Sequence, residues 1–210
     1  MPRATTAKGT EFVSVVTDTS AMRPEPGPRK KIAHSGVIGM LVFVATEIMF
    51  FAGLLSAVTI TRATALMDIW PPPGQPRLPV EETLINTAAL LLSGVLLGVA
   101  HFRFKKSPEL VKAPLIASML LGAAFVGLQG AEWVALIGQG LTLQSSAHGA
   151  FFYLIVGIHG LHALGAIGGL AFVLWRAQKG RLKASELYTA EVFWYFVVLL
   201  WPIIYGRLYF

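Results

Sequence analysis

Three ionisable side chains stand at positions where an apolar chain rarely keeps one. Glu47 lies near the middle of HSGVIGMLVFVATEIMFFAGLLSAVTI, and His159 and His162 lie in GIHGLHALG. A helix beginning near Ser35 puts Glu47 about 18 Å along its axis, close to the middle of a bilayer's hydrocarbon core. A charged acid there costs roughly 2.5–3.5 kcal/mol even on lenient insertion scales, so the carboxyl needs a partner. Two chemistries satisfy that need. One is a protonated acid hydrogen-bonded to a neighbouring helix. The other is a titratable site that exchanges protons or contacts another subunit.

His159 and His162 are three residues apart and lie on one side of a helix, at a depth similar to Glu47. Histidines invite haem or metal, but the spacing argues against both. Two adjacent turns of one helix cannot supply axial ligands to opposite haem faces. A carboxylate-bridged di-iron site wants Glu-x-x-His from paired helices, and this chain has His-x-x-His once. Interhelical hydrogen bonds, with Glu47 as one acceptor, are the reading for the pair. Glu132, Gln129 and Asn86 fall near one membrane surface and are expected to form a polar patch joining helix ends. His148 opens a helix as a cap or interface residue, and Glu191 lies within reach of Arg181 or Lys183. The sequence offers no nucleophile–base pair, phosphate loop or complete metal site, so the chain is not expected to carry a catalytic centre of its own.

The elements that must position these groups are apolar helices. Of the 210 residues 55% are hydrophobic and 13% are charged. Soluble domains average about 25% charged residues, so the composition is that of a membrane protein. The net charge of +6 comes from short clusters between apolar runs, without the basic stripe of a nucleic-acid binder. No cysteine is present, which removes disulfides, thiolate metal sites and thioether haem attachment. Residues 1–31 are polar and proline-rich, with no signal-peptide core, and are expected to be a flexible cytoplasmic tail ahead of a five-helix domain at 32–210.

Five apolar segments follow, at about 36–60, 82–102, 113–137, 147–175 and 187–208. None alternates like a strand, so the expected fold class is all-α, an integral membrane bundle of five transmembrane helices. All but three of the 17 Lys and Arg residues (Arg62, Arg77 and Arg207) fall on the side of the N-terminus. The positive-inside rule therefore predicts a cytoplasmic N-terminus and an outer C-terminus. Frequent glycines let helix backbones approach closely. The last helix carries Phe193, Trp194, Tyr195, Phe196, Trp201, Tyr205 and Tyr209, a composition expected of interfacial anchors, and Pro202 is a candidate kink.

Five motifs occur in order: ATEIMFFAG around Glu47, LINTAALLLSG at 84–94, FVGLQGAEW at 125–133, GIHGLHALG at 157–165 and FWYFVVLLWPIIY at 193–205. Together they resemble subunit III of haem-copper cytochrome c oxidases in its five-helix bacterial form, over roughly 34–208. The resemblance implies an accessory, non-catalytic subunit within an oxygen-reducing, proton-pumping oxidoreductase. Haem and copper would then belong to partner subunits I and II, with none in this chain and phospholipid bound in its clefts. It further implies packing against subunit I, support of proton uptake, a proposed lipid-borne oxygen route, no nucleic-acid partner and a multi-pass place in a bacterial plasma membrane. Asn86, Gln129, Glu132, His159 and His162 belong to that pattern, with Glu47 its buried glutamate. The last helix departs from it. The family's Trp-His-Phe-Val-Asp reads Trp194-Tyr195-Phe196-Val197-Val198 here, and a family glutamate seven residues before the histidine would fall at Tyr188, with Glu186 and Glu191 nearby. The alternatives are an accessory subunit of a quinol oxidase or nitric oxide reductase, a stand-alone haem-binding electron-transfer protein, and a small transporter with Glu47 as its proton site.

Overall fold

The computed structural model describes residues 35–64 and 72–210. The expected tail at 1–31 lies outside them. The described chain is helical, and among the described residues there is no strand. Helix α1 spans Ser35–Ala63, α2 Val80–Lys106, α3 Lys112–Gly138, α4 Ala147–Gln178 and α5 Ala184–Leu208. A single 3-10 turn, Pro108–Val111, joins α2 to α3. All five helices are long and apolar enough to cross a bilayer.

The ends of these helices follow from local chemistry. Ser146 caps α4 by accepting the Gly149 N–H at 3.0 Å. Glu81 and Glu82 occupy the first turn of α2 and Arg103, Lys105 and Lys106 its last, each sign matching the helix dipole. α3 and α4 both end in a left-handed glycine, Gly140 at φ 90° and Gly180 at φ 65°. In each case the following N–H reaches back to close the helix, Leu141 to the Leu136 carbonyl and Arg181 to that of Arg176.

α5 is the axis of the bundle. It packs against α4, α1 and α2, while α3 bridges α2 and α4. Trp194 and Trp201 are fully buried in its centre. For these two residues this corrects the expectation that the aromatic residues of α5 serve as interfacial anchors. An indole buried among helices needs an acceptor, and each finds one: Trp201 Nε1 donates to Thr87 Oγ1 at 2.8 Å and Trp194 Nε1 to Ser93 Oγ at 3.3 Å. Pro202 lies inside α5, which continues through it to Leu208. α1 is the peripheral element and buries only Phe51 and Val58. Successive helices run in opposite directions, so α1, α3 and α5 finish at one end of the bundle, called here the far end, and α2 and α4 finish at the near end.

Candidate functional site

Glu47 and His162 meet across the α1–α4 contact. Glu47 Oε2 lies 3.1 Å from His162 Nε2, and the two side chains are 20% and 15% exposed. His162 Nδ1 lies 2.8 Å from the Ile158 carbonyl. A carbonyl only accepts, so Nδ1 carries a proton. The Glu47–Nε2 contact then holds one proton, on the carboxyl of a neutral pair or on the ring of an ionic one. Both forms have zero net charge. Phe51, Phe193 and Phe196 surround the imidazole at ring distances of 5.6, 6.1 and 5.9 Å. The arrangement can hold a proton within an apolar wall, and it cross-links α1 to the bundle.

His159 behaves differently. It is 1% exposed. Its ring lies 5.1 Å from that of Trp201 and 6.2 Å from that of Phe125, and neither nitrogen has a hydrogen-bond partner. The expected interhelical hydrogen bond is thus present at His162 and absent at His159. Three residues at about 100° each leave the two rings about 60° apart around the helix, so one faces α1 and the other the aromatic centre. Among the described residues no group of three or more His, Cys, Asp or Glu converges as metal ligands would.

At the far end the structure gathers Asn86, Gln129 and Glu132. Gln129 Nε2 donates to Glu132 Oε2 at 2.7 Å, and Asn86 Nδ2 donates to the Phe125 carbonyl at 3.2 Å, with Gln129 Oε1 at 3.5 Å. Two members escaped sequence reading. Thr83 Oγ1 sits 3.0 Å from Glu132 Oε2, and Tyr209 Oη receives Gln129 Nε2 at 3.3 Å. Burial holds the Tyr209 phenol well above the usual tyrosine range, so it remains protonated in this network. The group ties α2, α3 and the end of α5 together. His148, the second residue of α4, is 4% exposed at this same end.

Glu191 pairs with a residue the sequence did not bring forward. Its Oε2 lies 2.8 Å from His101 Nδ1 on α2, rather than near Arg181 or Lys183. Those basic residues follow α4 and lie beyond the helix start, whereas Glu191 points across α5 at α2. Glu186 instead meets Arg176 at 3.1 Å and accepts the Lys183 N–H at 3.0 Å. Tyr195 and Val198, which replace polar residues of the resembled pattern, fill the α2–α5 contact beside Gly94. Tyr195 Oη lies 3.3 Å from the Gly94 carbonyl, and Val198 is 3% exposed. The signal for His101 was its place one turn before a basic cluster, where it reads as part of the loop.

A bundle of five helices, each long and apolar enough to cross a bilayer, defines a multi-pass membrane protein. The family model described as "Cytochrome c oxidase subunit III" matches residues 18–210. The chain belongs to that family. It is 30% identical over 177 residues to a "Probable cytochrome c oxidase subunit 3" of Nocardia farcinica, covering 82% of this chain and 86% of the relative. A relative of the same printed name from Mycobacterium leprae is also 30% identical, over the same shares. The "Cytochrome c oxidase subunit 3" of Pelomedusa subrufa is 32% identical over 180 residues, covering 81% of this chain and 67% of that one.

Proposed function

We propose that the chain is the accessory subunit III of a bacterial respiratory terminal oxidase, in which subunits I and II reduce oxygen to water and pump protons. The chain braces subunit I in the plasma membrane, holds phospholipid and supports proton uptake. The observation that carries this reading, beside family membership, is the closed pairing of Glu47 with His162: the intramembrane acid is spent on a partner within the chain. α1 supports it further. Ile38, Val42, Met49 and Ile60 on that helix are 49%, 62%, 76% and 64% exposed, an apolar flank suited to a partner subunit or lipid. Between α1 and α5 a groove of about 490 Å³, lined by Leu55, Ile60 and Ile203 with Arg207 among them, suits an acyl chain with its headgroup at the guanidinium. The basic residues at the near end favour that end as cytoplasmic.

The test is isolation of the full chain from its native membrane in mild detergent. It is expected to co-purify with a larger subunit that carries haem and copper, and to show no Soret band when separated from it. A separated chain that keeps a Soret band, lost in His159→Ala, would overturn the proposal.

A further inference from the structure

Between α3 and α4 lies a pocket of about 180 Å³ with an almost wholly apolar wall. Val126, Gly130 and Trp133 line it from α3, and Gly157, Gly160 and Leu164 from α4, each set at the three- and four-residue spacing of one helix face. The glycines help to make the space: a methyl group on Gly130 or Gly160 would meet no neighbouring atom within 4 Å. Leu161 and Leu164 at the rim are exposed, so the mouth opens sideways onto the outer surface of the bundle.

Two buried polar groups interrupt that apolar wall. His159 is 1% exposed and lines the pocket beside Phe125 and Trp201, and neither of its nitrogens has a hydrogen-bond partner. Neutral or protonated, its ring carries at least one N–H. Trp133, on the opposite wall, has the same deficit: its Nε1 is buried, can only donate, and meets no acceptor. The indoles of Trp194 and Trp201 both find acceptors, so the unbonded Trp133 stands apart. Leaving a buried donor unbonded is costly, and here both such donors belong to side chains that line one space. A complementary guest therefore carries acceptors on opposite edges of an apolar body. A cavity of about 150 Å³ holds a benzene molecule, so this one has room for a single substituted ring. His159 lies about 18 Å along α4, within the hydrocarbon, where a charged guest would be unfavourable. The rings of Phe125, Trp133 and Trp201 suit a flat partner.

We propose that this pocket binds the ring of an uncharged quinone-type lipophile, whose ring carbonyls accept from His159 and Trp133. An acyl chain could fill the same volume but would leave both donors unbonded. The site is separate from the groove between α1 and α5, and the inference does not rest on the accessory role.

The full chain with its native partners, in mild detergent, is dialysed to equilibrium against radiolabelled duroquinone and, separately, durene, the same tetramethyl ring without the two oxygens. Both dissolve in micelles, so the site is read as the difference between wild type and G160L, whose side chain fills the pocket from α4. Wild type is expected to hold one duroquinone per chain, about three- to tenfold more tightly than durene, the factor that one hydrogen bond supplies. G160L is expected to bind neither probe above the micelle background. H159F is expected to keep durene binding and lose the preference for duroquinone. Equal uptake by wild type and G160L would overturn the proposal. So would equal affinity of wild type for the two probes, which would make the pocket a hydrocarbon groove, or an undiminished preference in H159F. Should G160L fail to fold, G130L closes the pocket from α3 and gives the same reading. Should H159F fail to fold, the wild-type preference decides alone.

Discussion

Replacing Glu47 by leucine tests what holds α1 to the bundle. The substitution removes the partner of His162 Nε2 while His162 Nδ1 keeps the Ile158 carbonyl, so one ring nitrogen is left without a hydrogen bond. An orphaned buried polar group costs about 1–3 kcal/mol. Hydrogen bonds between transmembrane helices average about 0.6 kcal/mol and reach about 1.7, and both side chains here are partly exposed, which places E47L at about 1–2 kcal/mol. E47Q is different. Its carboxamide N–H₂ can donate to Nε2 in place of the acid, so a loss of no more than about 0.5 kcal/mol is expected. His162→Phe enters a shell of phenyl rings and, combined with E47L, replaces the polar pair by apolar packing. The assay is a double-mutant cycle on denaturant-induced loss of helix packing, with a coupling of about 0.6–1.7 kcal/mol expected between positions 47 and 162. Additive single losses would refute the pairing. E47Q falling as far as E47L would show that charge, not the hydrogen bond, joins the two helices.

Two further substitutions probe the centre of the bundle. Thr87→Val is nearly isosteric but removes the acceptor of the Trp201 indole, so a loss of about 1–3 kcal/mol is expected in thermal unfolding, and wild-type stability would show that the 2.8 Å contact contributes nothing. Gly122→Ala places a methyl against the edge of the fully buried Trp194 ring, so α3 and α5 must separate at a cost of about 1–3 kcal/mol, whereas Gly127→Ala on the same helix meets no atom within 4 Å and should be neutral; equal stabilities of the two variants, read from unfolding midpoints, would contradict the packing.

The spans themselves were legible because bilayer thickness imposes a length and an apolar composition on each segment, and a reader can count both. The observed helices extend the expected ones by a few residues, as at α2, where Arg103–Lys106 continue the helix beyond the apolar stretch. The far-end polar group was partly legible, since Asn86, Gln129 and Glu132 are costly in lipid wherever they sit. Thr83 and Tyr209 were not, because each has an ordinary role at a helix end and becomes a partner only when α2, α3 and α5 finish side by side. His101 was hidden for a similar reason. Its distance from Glu191 is 90 residues in sequence, and a histidine before a basic cluster reads as solvated.

The sequence by itself determined five membrane-spanning helices, the depth of Glu47, the distribution of basic charge and the family to which the chain belongs. Each follows from composition, length or motif order along the chain. Only the tertiary structure decided which groups meet. His159 and His162 have the same residue type, the same motif and nearly the same depth, yet His162 binds Glu47 and His159 lies among Phe125 and Trp201 without a polar partner. The physical reason is the rotational phase of α4 against α1 and α5. Side chains three residues apart diverge around the helix axis, and which neighbour each one faces is set by how whole helices pack.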